Sequence, residues 1–158
     1  MRIYLDTNAF FYFFFENRDY SGGIRKIFNK IKTGEYKAMT SCFTLEELAY
    51  IVLLELLESR YKKHPNDILR ADRGAIAEVS KEIADVFASI YSFDNINITG
   101  SDKRQVWFIP NVMGENLLLP RDSIHLKTMR EHNIEYILST DSDFDNIKGI
   151  KRINPESI

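Results

Sequence analysis

Short apolar runs alternate along this chain with longer stretches whose apolar residues recur every three or four positions. The short runs predict buried strands at residues 3–5, 36–40, 96–99, 136–139 and 151–153. The periodic stretches predict helices at residues 9–15, 24–31, 44–56, 76–90, 102–110 and 120–133. Strands that alternate with helices are typical of a mainly parallel sheet covered on both faces. The sequence therefore predicts an α/β fold with its ligand site at the carboxyl ends of the strands.

Several polar positions predict where these elements begin and end. Asp6, Thr7 or Asn8 offers a cap to the first helix, and Thr44 and Glu47 have the spacing of a capping box. Ser101 or Asp102 can cap the helix that Pro110 should kink or end. Two segments lack an apolar period: Ser59–Gly74, which we interpret as a basic connection, and Thr140–Lys148, which we interpret as a turn-rich loop.

Length and composition limit the class of protein. At 158 residues the chain predicts a single domain over residues 1–158, and 44% hydrophobic with 28% charged residues is ordinary for a soluble protein. Cys42 is the only cysteine, which excludes an internal disulfide and predicts a small buried thiol in a cytoplasmic protein. The apolar runs are too short to span a membrane, and no signal peptide is expected. A net charge of −2 argues against nucleic-acid binding over the whole surface.

Four acidic residues follow predicted strands or open predicted helices: Asp6, Glu47, Asp122 and Asp141. Each has an ordinary structural explanation as a helix cap, a helix-dipole partner or a turn residue. Those explanations do not predict that all four should meet at one edge of the sheet. Carboxylates about 5 Å apart repel by roughly 3 kcal/mol at an effective dielectric of 20, and a cation removes that cost. Oxygen ligands suit Mg²⁺ or Mn²⁺, so the pattern indicates metal-dependent phosphodiester chemistry.

Other sites for metals or phosphates fail on local detail. Asp141, Asp143 and Asp145 are spaced like the start of a calcium loop, but Asn146 replaces the required glycine and Arg152 the bidentate glutamate. Neither a Gly-x-Gly-x-x-Gly turn nor a Walker-type phosphate loop is present. Asn8 stands where an aspartyl phosphatase would have a second aspartate. Hydrolysis assisted by a metal ion remains.

The chain resembles the PIN-domain family of metal-dependent ribonucleases, and within it the VapC-like toxins of toxin–antitoxin pairs. The resemblance rests on four blocks, Tyr4–Asn8, Thr44–Leu48, Pro120–Leu126 and Ser139–Phe144. It implies a three-layer α/β/α fold and cleavage of RNA that leaves a 5′-phosphate and a 3′-hydroxyl. It also implies roles for individual residues: Asp6, Glu47, Asp122 and Asp141 as the acidic quartet that binds metal, Asp143 as an auxiliary ligand, and Asn8 and Ser139 as supports.

Glu47 is preferred to its neighbour Glu46 because it follows Thr44 by three residues and precedes Leu48, as in the family pattern. The role of Glu47 stays open between a direct ligand, a ligand through water and a group that orients the nucleophile. Arg121 adjoins Asp122 and is a candidate RNA contact. The basic segment offers four more, Lys62, Lys63, Arg70 and Arg73, for which a solvated connection is the alternative.

Two features have competing interpretations. His125 lies one helical turn after Asp122, so it can face the site, although a packed helix histidine is favoured. The aromatic run Phe10–Phe15 predicts either a helix buried all round or an interface for a homodimer or a cognate antitoxin. Two alternatives to a toxin also stay open at this point, a housekeeping PIN nuclease of RNA processing and a PIN-like binding module without catalysis.

Overall fold

The structure is a computed structural model that describes residues 1–100 and 102–158. Its described residues form one parallel sheet of five strands in the order β3-β2-β1-β4-β5. The strands are β1 (Arg2–Leu5), β2 (Lys37–Ser41), β3 (Ile96–Thr99), β4 (Tyr136–Leu138) and β5 (Lys151–Ile153). Because β1 lies at the centre of the sheet, the segment that follows it is flanked by the ends of β2 and β4. All five predicted strands and their parallel order are confirmed.

Seven α-helices are found in the described part of the chain. They are α1 (Thr7–Phe14), α2 (Ser21–Lys32), α3 (Cys42–Tyr61), α4 (Pro65–Ala71), α5 (Ala75–Tyr91), α6 (Lys103–Asn116) and α7 (Pro120–Glu131). Two 3₁₀ helices follow, Ser142–Asn146 and Pro155–Ser157. None of the helices in residues 1–100 and 102–158 is long and apolar enough to cross a membrane.

The sheet separates two hydrophobic cores, because alternate side chains of a strand point to opposite faces. Ile3 and Leu5 of β1 pack in a cluster with residues of α1, α2, α3 and α5. Tyr4, between them, packs in a second cluster with Met39 and with residues of α6 and α7. Helices therefore cover both faces of the sheet. The predicted three-layer α/β/α fold is confirmed.

The basic segment does not form the irregular connection that its sequence predicts. Helix α3 continues to Tyr61, and α4 begins at Pro65 after His64, whose side chain accepts from the Asn66 N–H at 3.3 Å. Ile68 of α4 is buried in a third cluster formed with residues of α3 and α5. This helix has only 7 residues, too few to show an apolar period in the sequence.

Pro110 does not end its helix, which runs on to Asn116. Proline removes one helical hydrogen bond, but Val112, two residues later, is buried in the second core and favours continuation of the helix. Asp102 caps this helix by accepting from the Arg104 N–H at 2.6 Å and the Gln105 N–H at 3.1 Å. The alternative cap, Ser101, lies outside the described residues. The prediction for Cys42 was also wrong, since this residue is exposed at the start of α3.

The aromatic run packs largely within its own chain. Phe10 is fully buried, and the side chains from Phe11 to Phe15 are half-buried. Phe13 stacks on Phe28 with ring centroids 4.2 Å apart, and Tyr12 contacts Tyr20 at 5.0 Å. The run therefore packs against its own chain but is not buried all round, and a docking role for it stays a prediction.

Two adjacent glycines in α2 provide a test of the packing beneath the last 3₁₀ helix. A Cβ atom on Gly23 would lie 2.0 Å from the Pro155 carbonyl oxygen, whereas one on Gly22 would meet nothing within 4 Å. We expect Gly23→Ala to destabilise the fold by about 1–3 kcal/mol through overpacking. Gly22→Ala is the matched control, expected to stabilise by about 0.5–1 kcal/mol through helix propensity. Urea unfolding of both variants measures the two changes, and equal stabilities would contradict the packing.

Candidate metal centre

Two neighbouring strands bring the first half of the site together. Asp6 follows β1 directly and Ser139 follows β4, and the Asp6 N–H donates to the Leu138 carbonyl at 3.3 Å. Asp6 also caps α1, because its Oδ1 accepts from the Thr7 N–H at 2.6 Å. The Asp6 side chain therefore caps α1, as predicted, and is also placed where it can contribute to the site.

The second oxygen of Asp6 is held by side chains. Oδ2 accepts from the Ser139 hydroxyl at 2.6 Å and from the Asn8 side-chain amide at 2.8 Å. The other amide atom of Asn8 accepts from the Thr140 N–H at 3.1 Å, and the Asp141 N–H donates to Ser139 Oγ at 2.9 Å. These bonds join the β1 turn to the β4 turn and fix the Asp6 carboxylate. Asn8 and Ser139 both donate to Asp6, and their supporting role in a metal site stays a prediction.

Glu47 lies on α3, and the prediction that it forms a capping box with Thr44 is wrong. The cap of α3 is Ser41, which accepts from the Thr44 N–H at 3.3 Å, so the helix begins before Thr44. Glu47 instead accepts from the Thr7 hydroxyl at 2.7 Å. Its side chain is 30% exposed, against 65% for Glu46. The Arg121 guanidinium lies 3.0 Å from Glu46 and 3.7 Å from Glu47, and it neutralises part of the charge on this side.

Three further acids converge from α7 and the 3₁₀ helix after β4. Carboxylate oxygens of Asp122, Asp141 and Asp143 all lie within 4.8 Å of one another. Asp141 caps the 3₁₀ helix by accepting from the Asp143 N–H at 2.9 Å, which places both side chains on one turn. Asp143, for which the family resemblance implies an auxiliary role, therefore lies within reach of the same cation as Asp122 and Asp141.

Electrostatics in this group are unfavourable without a cation. Burial raises the pKa of Asp122 to about 7, and the charges of Asp141, Asp6, Asp143 and Glu47 add to the increase. A carboxyl in such a position resists ionisation at neutral pH unless positive charge is supplied. The donor set consists of carboxylate oxygens, the ligands preferred by Mg²⁺ and Mn²⁺. The residues present therefore fit a hard divalent cation.

A pocket of about 210 Å³ connects the parts of the site. Its lining includes all four acids of the predicted quartet together with Asn8, Arg121 and His125. The four basic residues predicted to bind RNA line two other depressions, with Lys62 and Lys63 in one and Arg70 and Arg73 in the other. Of the five predicted basic contacts, the structure brings only Arg121 to the acids. We refer below to Asp6, Glu47, Asp122, Asp141 and Asp143 as the acidic site.

Sequence reasoning missed two neighbours of these acids. Thr7 donates to Glu47, and its position directly after Asp6 in the strand-to-helix turn was the available signal. Tyr4 lies beneath the site, with its hydroxyl oxygen 3.0 Å from His125 Nδ1. His125 is both packed and near the site, since its ring is buried while Nε2 lies 3.5 Å from Asp6 Oδ1.

A family model for the PIN domain matches residues 3–150. The chain belongs to the PIN-domain family. Comparison of the sequence with curated proteins finds no match. Membership of this family confirms the coarser part of the predicted activity, a hydrolase of the nuclease class.

Solved structures with the same fold cover almost the whole chain. A toxin–antitoxin complex from Klebsiella pneumoniae aligns with a TM-score of 0.58 at 15% identity, over 97% of both chains. VapBC2 from Rickettsia felis, bound to a DNA fragment from its promoter, gives 0.59 at 16% identity over 98% of both chains. VapC20 of Mycobacterium tuberculosis, a toxin that cleaves the sarcin–ricin loop, gives 0.59 at 17% identity over 90% of this chain and 92% of that one. At these identities the likeness shows a shared fold.

Proposed function

We propose that this chain is a divalent-metal-dependent endoribonuclease and acts as the toxin of a toxin–antitoxin pair. The observation that carries the proposal is the acidic site itself. Five carboxylates from four separate segments line or adjoin one pocket, and the pKa of Asp122 is raised to about 7 by burial and by its acidic neighbours. Such an arrangement is costly for stability and is explained by a need for cations.

In this proposal Asp6, Asp122 and Asp141 bind Mg²⁺ or Mn²⁺, with Asp143 as a further ligand. Glu47 serves as a ligand or orients the nucleophile. Its Oε2 accepts a hydrogen bond from the Thr7 hydroxyl, which fixes the side chain for either role. A bound divalent ion supplies a water of lowered pKa and stabilises negative charge on the phosphate. Asn8 and Ser139 contribute by keeping Asp6 in one orientation, which preserves the spacing of the ligands.

Arg121 is the proposed contact for the RNA backbone at the site. It lines the acidic pocket, and its side chain is 41% exposed, so a phosphate can approach it from solvent. The guanidinium also has the geometry to bind a phosphate through two hydrogen bonds. The four other basic residues lie at two other depressions and can only extend the RNA path: Lys62 and Lys63 directly after α3, Arg70 in α4 and Arg73 just beyond it. For them, a solvated surface stays the alternative.

The toxin assignment is supported by neighbours of the same fold. Two of them are toxin–antitoxin complexes, and a third is a toxin that cleaves the sarcin–ricin loop. We propose by analogy that this chain acts on RNA in the cytoplasm as a homodimer and is held inactive by a cognate antitoxin. A small antitoxin reading frame beside the gene, whose product co-purifies with the chain, would separate this role from housekeeping RNA processing.

Asp141→Asn is a suitable variant for the decisive assay, because asparagine can still cap the 3₁₀ helix. Purified protein should cleave RNA in Mg²⁺ or Mn²⁺, leave 5′-phosphates and stop in EDTA. The variant should lose at least about a hundredfold in rate, more than is usual for a residue that only supports a ligand. An exposed aspartate provides the control, with Asp94→Asn expected to retain the wild-type rate. Metal-independent cleavage, or an Asp141→Asn protein as active as wild type, would refute the proposal.

A further inference from the structure

His125 is a buried polar ring whose two nitrogens face two different groups. It is 1% exposed and lies on α7, one helical turn after Asp122. Nδ1 is 3.0 Å from the Tyr4 hydroxyl oxygen, and Nε2 is 3.5 Å from Asp6 Oδ1. The ring therefore stands between the buried centre of β1 and the carboxylate that follows this strand.

We propose that His125 is a positioning residue that accepts a hydrogen bond from the Tyr4 hydroxyl at Nδ1 and directs its Nε2–H at Asp6 Oδ1. This inference rests on the proposed function in one respect: the orientation of Asp6 matters because Asp6 is a proposed metal ligand. The chain of contacts Tyr4–His125–Asp6 is itself a property of the folded protein.

The position of the ring proton follows from what each nitrogen faces, a hydroxyl at Nδ1 and a carboxylate oxygen at Nε2. Burial raises the pKa of Tyr4 to about 12, so its hydroxyl keeps a proton that it can donate. An ionised carboxylate can only accept, so the nitrogen that faces Asp6 carries the ring proton, and Nδ1 is left to accept from the Tyr4 hydroxyl. If that proton were on Nδ1, the lone pair of Nε2 would face the Asp6 carboxylate at 3.5 Å without a hydrogen between them. The Nε2–H tautomer replaces this repulsion with an attraction.

His125 holds Asp6 from a direction that its other partners do not supply. Thr7 and Asn8 belong to α1, and Ser139 follows β4, so these three fix the carboxylate from the sheet edge and from the helix that it caps. His125 approaches from α7, the helix that also carries Asp122. The contact thereby ties Asp6 to the element that presents a second proposed ligand and sets the distance between the two.

The tautomer can be observed directly, without metal or RNA. Nitrogen-15 NMR of histidine-labelled protein should show His125 as the Nε2–H tautomer at neutral pH. The sequence has 3 histidines, and the signal that disappears in His125→Gln assigns the resonance. In Tyr4→Phe, where Nδ1 loses its donor, the population of the Nδ1–H tautomer should rise. A wild-type ring protonated at Nδ1 would overturn the proposal.

The consequence for metal binding is measured by Mn²⁺ titration followed by electron paramagnetic resonance. His125→Leu keeps an apolar group of similar size but removes the donor, and it should weaken Mn²⁺ binding by about 10–100-fold, as is typical for a group that orients a ligand. His125→Gln can return an N–H to the Nε2 position and should recover most of that loss. Wild-type affinity in His125→Leu, or equal losses in both variants, would contradict a positioning role.

Two further measurements separate this inference from instability and from the proposed function. If circular dichroism shows that His125→Leu does not fold, Tyr4→Phe replaces it and should weaken Mn²⁺ binding in the same direction, whereas unchanged affinity would count against the proposal. If the wild type binds Mn²⁺ but cleaves no RNA, the proposed ribonuclease activity fails, while the tautomer and affinity results still decide the role of His125.

Discussion

Asp122→Asn should abolish RNA cleavage and, in EDTA, raise the stability of the protein at pH 8. The loss of activity follows from removing a proposed metal ligand. The gain in stability follows from the raised pKa of Asp122, about 7 against the ordinary 3.8, which burial and the neighbouring carboxylates cause. Between these two values the folded state binds more protons than the unfolded state, so the contribution of this group to stability falls as pH rises. Above pH 7 the ionised carboxylate destabilises the fold, and asparagine relieves that cost.

The expected size of the effect is modest because Asp122 is partly exposed to solvent. Relief of about 1 kcal/mol corresponds to about 2–4 °C in the melting temperature of a domain of this size. Thermal unfolding at pH 4 and pH 8 with EDTA measures it, with similar values expected at pH 4 and a more stable variant at pH 8. Asp94→Asn removes an exposed carboxylate elsewhere and should change neither value. A variant less stable than wild type at pH 8 would show that the acids are not in mutual repulsion.

Asp6→Asn should also abolish cleavage, but with the opposite effect on stability. The Asp6 carboxylate accepts hydrogen bonds from Thr7, Asn8 and Ser139 at 2.6–2.8 Å. An asparagine in its place has one acceptor oxygen and turns an amide N–H toward one or more of these donors. Unmet hydrogen bonds of this kind cost about 2 kcal/mol, and we expect the melting temperature in EDTA to fall by about 4–8 °C.

Asp102→Asn is the matched control for this second variant. Asp102 caps α6 through two backbone N–H groups, and its other oxygen lies 3.7 Å from the exposed Arg104 guanidinium, an ion pair that contributes little to stability. Because asparagine caps helices about as well as aspartate, its melting temperature should change little. Should Asp6→Asn prove as stable as Asp102→Asn, the hydrogen-bond network around Asp6 would not be important for the fold.

The sheet and most of the acidic site could be predicted from the sequence because both depend on local patterns. An apolar run that ends in Asp6 and another that ends before Asp141 each describe a strand followed by a turn, and parallel strands place such turns on one edge. Asp122 was recognisable from Pro120 at the start of its helix. The positions of these acids therefore needed only the order of elements and a parallel sheet.

The errors arose where neighbouring polar residues compete or where tertiary packing decides. Ser41 and Thr44 are both acceptable N-caps for α3. Because Ser41 is the cap, α3 begins before Thr44, and Glu47 lines the pocket instead of completing a capping box. Helix α4 was missed because Pro65 and the surrounding charges obscure a short element that depends on the His64 cap and on the tertiary burial of Ile68. The proximity of Asp143 to Asp122 and Asp141 depends on the 3₁₀ turn after Asp141, and residue spacing alone does not reveal that turn.

The central position of β1 has a consequence for expression of the chain as two separate fragments. Asp6 and Glu47 belong to the first half of the chain, whereas Asp122, Asp141 and Asp143 belong to the second, and the two groups meet only when β4 pairs with β1. Neither half alone contains a complete set of carboxylates. A gene divided between α5 and α6 would therefore encode two fragments that each lack a complete site, and nuclease activity would report their reassociation.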